Sequence, residues 1–215
     1  MSLLTLAAQL LAGMGRSALL FALTLLLALP LGLLTALLRR CRFALPRLLA
    51  AAYISVLRGT PLMLQLMVVY FGPYYLFGTR ISVAYQFWAA VIAFVLNYAA
   101  YFGEILRGAI AAVPRSQWEA ARSLGCNARQ AFLRVVLPQA VPRALPAVTN
   151  EAVTLVKDTS LAFVIAYAEM FTLAKRIAAR ESSVLPLMAA GVFYYVFNLL
   201  VALAAARIEK RCAFD

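Results

Sequence analysis

The segment EAARSLGCNARQAFLRVVLP, residues 119–138, decides the fold, because it is a hydrophilic stretch between two long apolar regions. Gly125 stands where the C-terminus of a helix favours a left-handed residue, so one helix is predicted on each side of it. The segment and its flanks carry six arginines, and a lipid-buried position would cost about 2.5–3.5 kcal/mol for each of them. These are Arg107, Arg115, Arg122, Arg129, Arg134 and Arg143. The two helices therefore form an elbow that must lie outside the bilayer.

Start and stop signals mark the two helices of this elbow. Ser116 and Glu119 have the S-x-x-E spacing of a capping box, and Asn127 with Gln130 repeats the signal at the second helix. Proline excludes the helical conformation from the residue before it, so the second helix should end at or before Pro138. The elbow is thus predicted as two short helices hinged at a glycine.

The composition indicates an integral membrane protein. Of the 215 residues, 65% are hydrophobic and 13% are charged, whereas soluble domains contain about 45–50% apolar residues. The net charge of +12 does not indicate nucleic-acid binding, because the basic residues fall between apolar segments. The length suits one membrane domain over residues 1–215. Residues 1–15 carry no charge, which argues against a cleaved signal peptide and favours a short interfacial helix.

Five apolar runs are long enough to cross a hydrocarbon core of about 30 Å. They cover residues 17–38, 50–77, 86–106, 145–171 and 184–206. The loops on one side of these spans carry thirteen Lys and Arg residues, and the loops on the other side carry five. Because basic residues collect on the cytoplasmic side, the N-terminus is predicted outside, with the elbow and the C-terminus in the cytoplasm. The predicted fold class is all-α with five transmembrane helices.

Two of the predicted spans are interrupted. The sequence RGTP, residues 58–61, breaks the second span, and Thr60 as cap with Pro61 at the first helical position would restart a helix. In the fourth span, Pro142 and Pro146 precede a polar stretch. Broken helices at membrane depth occur only where they are buried in protein or line a water-filled cavity. The interruptions therefore mark the place to look for a solute pathway.

Charged residues lie inside the fourth span. Glu151 and Asp158 are seven residues apart, close to two helical turns, so they project from the same face and could share one cavity. Burial of such charges is costly unless they pair or face water, which makes them candidates for contact with a cationic or zwitterionic solute. The alternative is an internal pair of Lys157 with Glu151 or with Asp158 that fixes helix packing.

Asn97 is a polar residue midway along the third span. It either hydrogen-bonds to a neighbouring helix, a contact of about 0.6–2 kcal/mol, or it touches substrate. Nearer the cytoplasmic end of the same span, Glu104 is expected to pair with Arg107 at i+3, a solvated contact of small value.

The sequence offers no site for metal binding or covalent catalysis. It has no histidine, no C-x-x-C spacing among Cys41, Cys126 and Cys212, and no G-x-x-x-x-G-K-[ST] loop to hold a nucleotide. No nucleophile is paired with a base, and the usual proton shuttle is missing. We therefore expect no catalytic residue, metal or cofactor in this chain, and three free thiols.

The elbow resembles the EAA loop of ABC importer permeases, with Glu119-Ala120-Ala121, three residues, Gly125, nine residues and then VVLP at 135–138. Further motifs resemble the polar amino-acid subfamily, the histidine, arginine and glutamine type of permease. They are RGTPL at 58–62, QWEAAR at 117–122, LPQA at 137–140, NE at 150–151 and KDTSL at 157–161. The resemblance extends over residues 15–211. One departure is Val135, where the loop usually has isoleucine, and it changes little.

The resemblance implies a type I importer in the bacterial cytoplasmic membrane. Two permease subunits, identical or homologous, would form one pathway, and a separate extracytoplasmic amino-acid-binding protein would deliver the solute. A dimer of cytosolic ATPases, which binds ATP and Mg²⁺, would dock on the coupling loop at residues 108–138. The ATPase-coupling residues that the motif implies are Trp118, Glu119, Ala120, Ala121 and Gly125. The substrate-binding positions that match the family are Asn97, Glu151, Lys157, Asp158 and Ser160.

The sequence leaves open which substrate is carried and which class of membrane protein the chain belongs to. Two carboxylates facing a cavity favour an ammonium or guanidinium group, hence a basic amino acid, although the family has members for basic, acidic and neutral ones. A passive channel or carrier for small cationic or zwitterionic solutes is an alternative, but it would not require a cytosolic elbow. A structural membrane subunit is the other alternative.

Overall fold

The computed structural model describes residues 3–212, and within that range the chain is helical with no β-strand. The α-helices are α1 Leu3–Arg39, α2 Ala44–Gly59, α3 Leu62–Phe77, α4 Val83–Ala111, α5 Arg115–Ser123, α6 Ala128–Ala131, α7 Leu137–Asp158, α8 Met170–Glu181 and α9 Leu185–Cys212. A π-helical segment, Phe132–Val136, joins α6 to α7, and a 3₁₀ segment, Thr159–Ile165, follows α7. The predicted all-α fold class is confirmed.

Among the described residues, three helices are long and apolar enough to cross a bilayer, namely α1, α4 and α9, and the bent pair of α2 and α3 makes up to four. The fourth predicted span corresponds to α7 and the 3₁₀ segment, in which the charged residues lie, and the fifth corresponds to α9. The predicted interfacial helix at residues 1–15, of which the first two lie outside the described residues, is not a separate element. Instead α1 runs on without a break, because Leu6, Leu10 and Met14 continue its packing against α8 and α9.

Helices α1 and α4 form the centre of the fold and run side by side in the same direction. Gly32 of α1 lies against Phe102 of α4, where an added Cβ would be 2.7 Å from the Cβ of Phe102, and Gly103 of α4 lies against Thr35. Small residues of this kind let two helix backbones approach closely. The C-terminal ends of α1 and α4 therefore lie at the same end of the bundle, next to the elbow.

The glycine hinge of the elbow is confirmed. Gly125 has φ +83°, and its N–H donates to the carbonyl of Arg122 at 2.9 Å while the N–H of Cys126 donates to Ala121 at 3.1 Å. These two bonds close the end of α5 in the manner of a Schellman motif. Asn127 and Gln130 form the predicted reciprocal capping box at the start of α6.

The predicted cap at Ser116 is wrong. Helix α5 begins at Arg115, with Pro114 in the N-cap position and no side-chain hydrogen bond to the first turn. Pro114 has ψ 143°, an extended conformation, so the helix starts after it and Ser116 falls inside the first turn. Glu119 therefore does not cap the helix and lies exposed on the surface of α5.

The predicted end of the second elbow helix at Pro138 is also wrong, and α7 is not interrupted at Pro142 or Pro146. The π-helical segment widens the turn before Pro138 by one residue, which leaves that proline in the first turn of α7, where its missing N–H is tolerated. The three prolines repeat every four residues, so the lost hydrogen bonds are confined to one face. The fourth span breaks later, where α7 tightens into the 3₁₀ segment and Ala166 adopts φ +58°.

The break in the second span is confirmed, since α2 and α3 meet at an angle of 108°. Its capping differs from the prediction. Pro61 is the N-cap of α3, and Thr60 ends α2, with its hydroxyl donating to the carbonyl of Val56 at 2.8 Å. A threonine that bonds back to the preceding turn closes one helix rather than opening the next.

Candidate functional site

A cavity of about 580 Å³ opens where the two helix breaks meet the middle of α4. Its size falls within the range of about 300–1,000 Å³ that small-molecule sites occupy. The lining residues come from the α2–α3 bend, from α4, from α7 and from the 3₁₀ segment. They are Arg58, Gly59, Thr60, Pro61, Leu62, Asn97, Tyr98, Tyr101, Glu151, Thr154, Asp158 and Leu161.

Asn97 supports the bend that forms one wall of this cavity. Its buried amide donates to the carbonyl of Leu57 at 3.1 Å and to the side-chain oxygen of Gln65 at 3.0 Å. The amide of Gln65 in turn donates to Leu57 at 2.9 Å and to the carbonyl of Thr60 at 3.1 Å. These bonds satisfy carbonyls that the break frees from the helix. The predicted interhelical hydrogen bond of Asn97 is thus present, and the residue also lines the cavity.

The two carboxylates predicted to share one face of the fourth span do line the same cavity. One oxygen of Asp158 accepts a hydrogen bond of 2.7 Å from the hydroxyl of Tyr98, whose ring is buried between Phe94 and Phe102. Glu151 lies two turns earlier on α7 and is partly buried. Asp158 is therefore oriented by a rigid aromatic neighbour, whereas among the described residues no side-chain hydrogen bond orients Glu151.

Lys157 and Ser160, predicted with the carboxylates, do not line the cavity. Lys157 is exposed, and within residues 3–212 no salt bridge joins it to Glu151 or Asp158. The alternative of an internal pair stays a prediction. The hydroxyl of Ser160 donates to the carbonyl of Lys157 at 2.8 Å, which closes the last turn of α7. Only one face of α7 points into the cavity, and residues 157 and 160 lie off that face.

Arg58 is a cavity residue that the sequence reasoning left out. Its guanidinium lies over the ring of Tyr101 at 5.0 Å from the centroid, at the end of α2 that borders the break. An arginine stacked on an aromatic ring keeps its hydrogen-bond donors free in the plane of the group. Its place directly before a Gly-Thr-Pro break in an apolar segment was the available signal. The lining of the cavity thus contains one basic and two acidic side chains.

The elbow is attached to the bundle by its apolar side. The ring of Trp118 stacks on Phe132 with centroids 6.3 Å apart, and Ala121 is buried. The side-chain amide of Gln139 donates to that of Gln117 at 3.1 Å, which joins α5 to α7. The other predicted coupling residues, Glu119, Ala120 and Gly125, are exposed. Trp118 and Ala121 therefore anchor the EAA stretch to the bundle, and the remaining coupling residues form an exposed surface.

A third polar cluster, at the opposite end of the bundle from the elbow, was not predicted from the sequence. Glu169 is fully buried and accepts hydrogen bonds from the N–H groups of Phe171 at 2.7 Å and Thr172 at 2.6 Å. The hydroxyls of Ser17 on α1 and Tyr194 on α9 also donate to it, at 3.3 and 2.9 Å. Glu169 thus caps α8 and joins it to α1 and α9.

One smaller prediction, the ion pair near the predicted cytoplasmic end of α4, is confirmed. The Nε of Arg107 donates to both carboxylate oxygens of Glu104 at 3.0 Å, which confirms that pair. Cys41, Cys126 and Cys212 are free. Among the described residues no group of three histidine, cysteine or acidic side chains is arranged to hold a metal ion.

Broken helices around a charged, solute-sized cavity and a two-helix elbow at one end of the bundle define a subunit of a membrane transporter. The sequence matches bear this out. Residues 28–213 match the family described as the binding-protein-dependent transport system inner membrane component, and the chain belongs to that family.

Individual relatives and one solved structure are consistent with this assignment. The chain is 42% identical over 164 residues to the arginine transport system permease protein ArtQ of Bacillus subtilis, covering 76% of this chain and 74% of the relative. It is 38% identical over 183 residues to the L-cystine transport system permease protein TcyB of the same species, with 84% and 76% covered. A crystal structure of an amino acid ABC transporter with histidines matches with a TM-score of 0.87 and 32% identity over 97% of this chain and 96% of that one. The predicted type I importer permease fold is confirmed.

Proposed function

We propose that this permease subunit passes a polar amino acid, with a preference for a basic one, through a pathway that includes the cavity between the two broken helices. The observation that carries the proposal is the placement of Glu151, Asp158 and Arg58 around one cavity. Intramembrane charges that face a polar cavity mark substrate pathways in membrane transporters. Relatives named for arginine and cystine transport agree with an amino-acid solute.

The charges suit a zwitterion with a second cationic group. Arg58 offers planar donors for an α-carboxylate, while Glu151 and Asp158 offer acceptors for an α-ammonium and for a side-chain ammonium or guanidinium. The cavity residues with charged groups carry a formal charge of −1 in total, which complements a solute of net charge +1. Of the five positions expected from the sequence, Asn97, Glu151 and Asp158 lie where they would contact the solute, and Arg58 joins them.

The proposed driving force is ATP hydrolysis in a separate ATPase that binds ATP and Mg²⁺. Its docking surface is the exposed part of the elbow, including Glu119, Ala120 and Gly125, while Trp118 and Ala121 fasten the elbow to the bundle. Because α5 and α6 connect α4 to α7, a push on the elbow reaches both helices that carry the cavity residues. A second permease subunit and an extracytoplasmic amino-acid-binding protein complete the proposed assembly.

The proposed topology has five spans, with α7 and the 3₁₀ segment as the fourth. The end of α1, the elbow and the end of α9 carry most of the basic residues, and α1 and α4 end on the same side of the bundle. Positive-inside placement puts that side in the cytoplasm and the N-terminus outside. Accessibility of single cysteines to an impermeant thiol reagent in oriented vesicles tests this placement at Arg42 and Arg80.

The test of solute recognition is uptake by Glu151→Gln and Asp158→Asn in the reconstituted complex with its ATPase and binding protein. Loss of one charge-assisted contact of about 1.5–3 kcal/mol predicts a rise in KM for arginine or lysine of about 10- to 100-fold. Arg143→Gln, which removes an exposed charge on the same helix outside the cavity, is the matched control and should leave KM unchanged. Unchanged affinity and selectivity in both carboxylate variants would remove these residues from the proposed site. Uptake without ATP would instead favour a passive carrier.

A further inference from the structure

A second cavity lies away from the solute cavity, at the junction of α1 and α2. It has a volume of about 490 Å³ and is lined by Arg39, Ala44, Leu45, Arg47, Leu48 and Ala51. Two guanidinium groups thus share a groove whose other lining is apolar. This combination matches the two parts of a phospholipid, an anionic headgroup and a hydrocarbon chain.

The arginines of this groove form no salt bridge in the described part of the chain, and the acidic neighbour with which Arg39 interacts electrostatically is Glu104. The Nε of Arg39 is shielded from solvent and lacks a hydrogen-bond acceptor. Within residues 3–212 neither Arg39 nor Arg47 forms an ion pair, and Glu104 on the neighbouring helix α4 is taken by Arg107. A shielded cationic donor without an acceptor is unfavourable, so an anion from outside the chain would stabilise this arrangement.

The N-terminus of α2 borders the same groove and adds further donors. Phe43, in the N-cap position, makes no side-chain hydrogen bond, and the first turn contains no acidic residue. The first N–H groups of a helix have no partner within it, and they carry the positive end of the helix dipole. Ala44 and Leu45, which open α2, therefore present backbone donors beside the two arginines.

The outward face of α2 is apolar. Leu45, Leu48 and Leu49 are 68%, 69% and 61% exposed, and only Ala50 and Ile54 of this helix are buried. Exposed leucines along a helix with flanking arginines are typical of a helix at the boundary between headgroups and acyl chains. In a family of inner-membrane proteins, the acyl chains of the bilayer are neighbours that suit this surface.

The groove lies at the elbow end of the bundle, because α1 and α4 run in the same direction and α1 ends at Arg39. Arg40 and Arg42 follow directly and increase the positive charge of this corner. Clusters of basic residues next to a transmembrane helix on the cytoplasmic side bind anionic lipid headgroups. The positive charge of the groove and its position at the elbow end of the bundle therefore both suit an anionic lipid headgroup.

We propose that this groove binds an anionic phospholipid of the cytoplasmic leaflet. The phosphate is held by Arg39, Arg47 and the first N–H groups of α2, and an acyl chain lies along Leu45 and Leu48. A bound lipid would fill the corner between α1 and α2 and neutralise the shielded guanidinium of Arg39. The proposal depends on the membrane location of the chain and is independent of which solute the transporter carries.

Native mass spectrometry of the full chain in detergent tests the proposal, with phosphatidylglycerol and phosphatidylcholine of the same acyl chains as probes. We expect the wild type to retain phosphatidylglycerol preferentially. Arg39→Gln and Arg47→Gln should each lower that preference about fivefold, and the double variant about thirtyfold, as follows from the attraction of one basic residue near an anionic surface. Arg42→Gln is the comparison variant and should lower the preference less than either groove variant, since Arg42 adds to the charge of this corner but lies over the ring of Phe43 and does not line the groove.

Three results would overturn the proposal. These are equal retention of the two lipids by the wild type, an equal loss in Arg42→Gln, and displacement of the lipid by inorganic phosphate at the same concentration. The last would reveal a site for phosphate alone. If Arg39→Gln does not fold, the pair Arg47→Gln and Arg47→Lys decides the matter, because lysine should keep most of the preference and glutamine should lose it.

Discussion

The hydrogen bond between Tyr98 and Asp158 gives the sharpest test of the proposed role of the cavity in solute binding. The phenol donates to the carboxylate at 2.7 Å, and the ring beneath it is 2% exposed between Phe94 and Phe102. Tyr98→Phe removes one oxygen and keeps the ring, so the packing of α4 is preserved. What changes is the orientation of a carboxylate that faces the cavity.

The magnitude follows from the kind of bond that is lost. A hydrogen bond to a charged group contributes about 1.5–3 kcal/mol, which sets an upper limit of about 10- to 100-fold on the loss of solute affinity. The aspartate keeps its charge and can still reach the solute after reorientation, so we expect about a tenfold rise in KM with a smaller change in kcat. Asp158→Asn, which removes the charge itself, should have the larger effect.

The assay is ATP-driven uptake of radiolabelled arginine or lysine in proteoliposomes, with thermal stability in detergent measured on the same preparations. Tyr101→Phe is the matched control, because Tyr101 also lines the cavity and its ring can still stack under Arg58 after the hydroxyl is lost. If the two phenylalanine variants have the same KM as each other, orientation of Asp158 by Tyr98 has no role in solute binding. If Tyr98→Phe is less stable but has an unchanged KM, the hydrogen bond stabilises the fold and does not contribute to solute binding.

Two glycine positions give the remaining predictions. Gly125 has φ +83° with no atom near the position of an added Cβ, so Gly125→Val should destabilise the elbow by about 1–2 kcal/mol through backbone strain alone and weaken co-purification of the ATPase. Asparagine tolerates this conformation, so Gly125→Asn should retain ATPase binding. Equal ATPase binding by the two variants would contradict the reasoning. Gly32→Ala should lower the free energy of unfolding by about 1–3 kcal/mol, because its methyl group would lie 2.7 Å from Phe102. Gly15→Ala, with nothing within 4 Å, should be neutral or slightly stabilising in the same thermal unfolding measurement, and a larger loss at Gly15 than at Gly32 would refute the assignment of close packing.

The elbow and the shared face of the two acidic residues were predictable from sequence because both depend on local rules. A left-handed position after a short helix favours glycine, and a spacing of seven returns a side chain to the same helix face. Gly125 and the pair Glu151 and Asp158 follow these rules directly. No long-range information was needed for them.

Other features depended on neighbours that the sequence does not reveal. The prolines at 138, 142 and 146 indicated an end or a break of the helix. The π-helical segment before them adds one residue to the turn and lets the helix continue, and a local sequence pattern does not reveal such a segment. Arg58 and Glu169 acquired their surroundings from helices far away in sequence. The direction of Lys157, away from the cavity, depended on where α4 packs against α7.

The buried cluster around Glu169 has a mechanical consequence. Because one carboxyl group accepts hydrogen bonds from α1, from the first turn of α8 and from α9, separating any of these helices would leave a buried acceptor without its donors, at a cost of about 1–3 kcal/mol for each acceptor left unsatisfied. The outer ends of α1, α8 and α9 are thus expected to move as one rigid body. Motion that opens and closes the solute pathway must then be taken up next to it, in the short 3₁₀ turn between Asp158 and Ala166, which makes that turn the natural hinge.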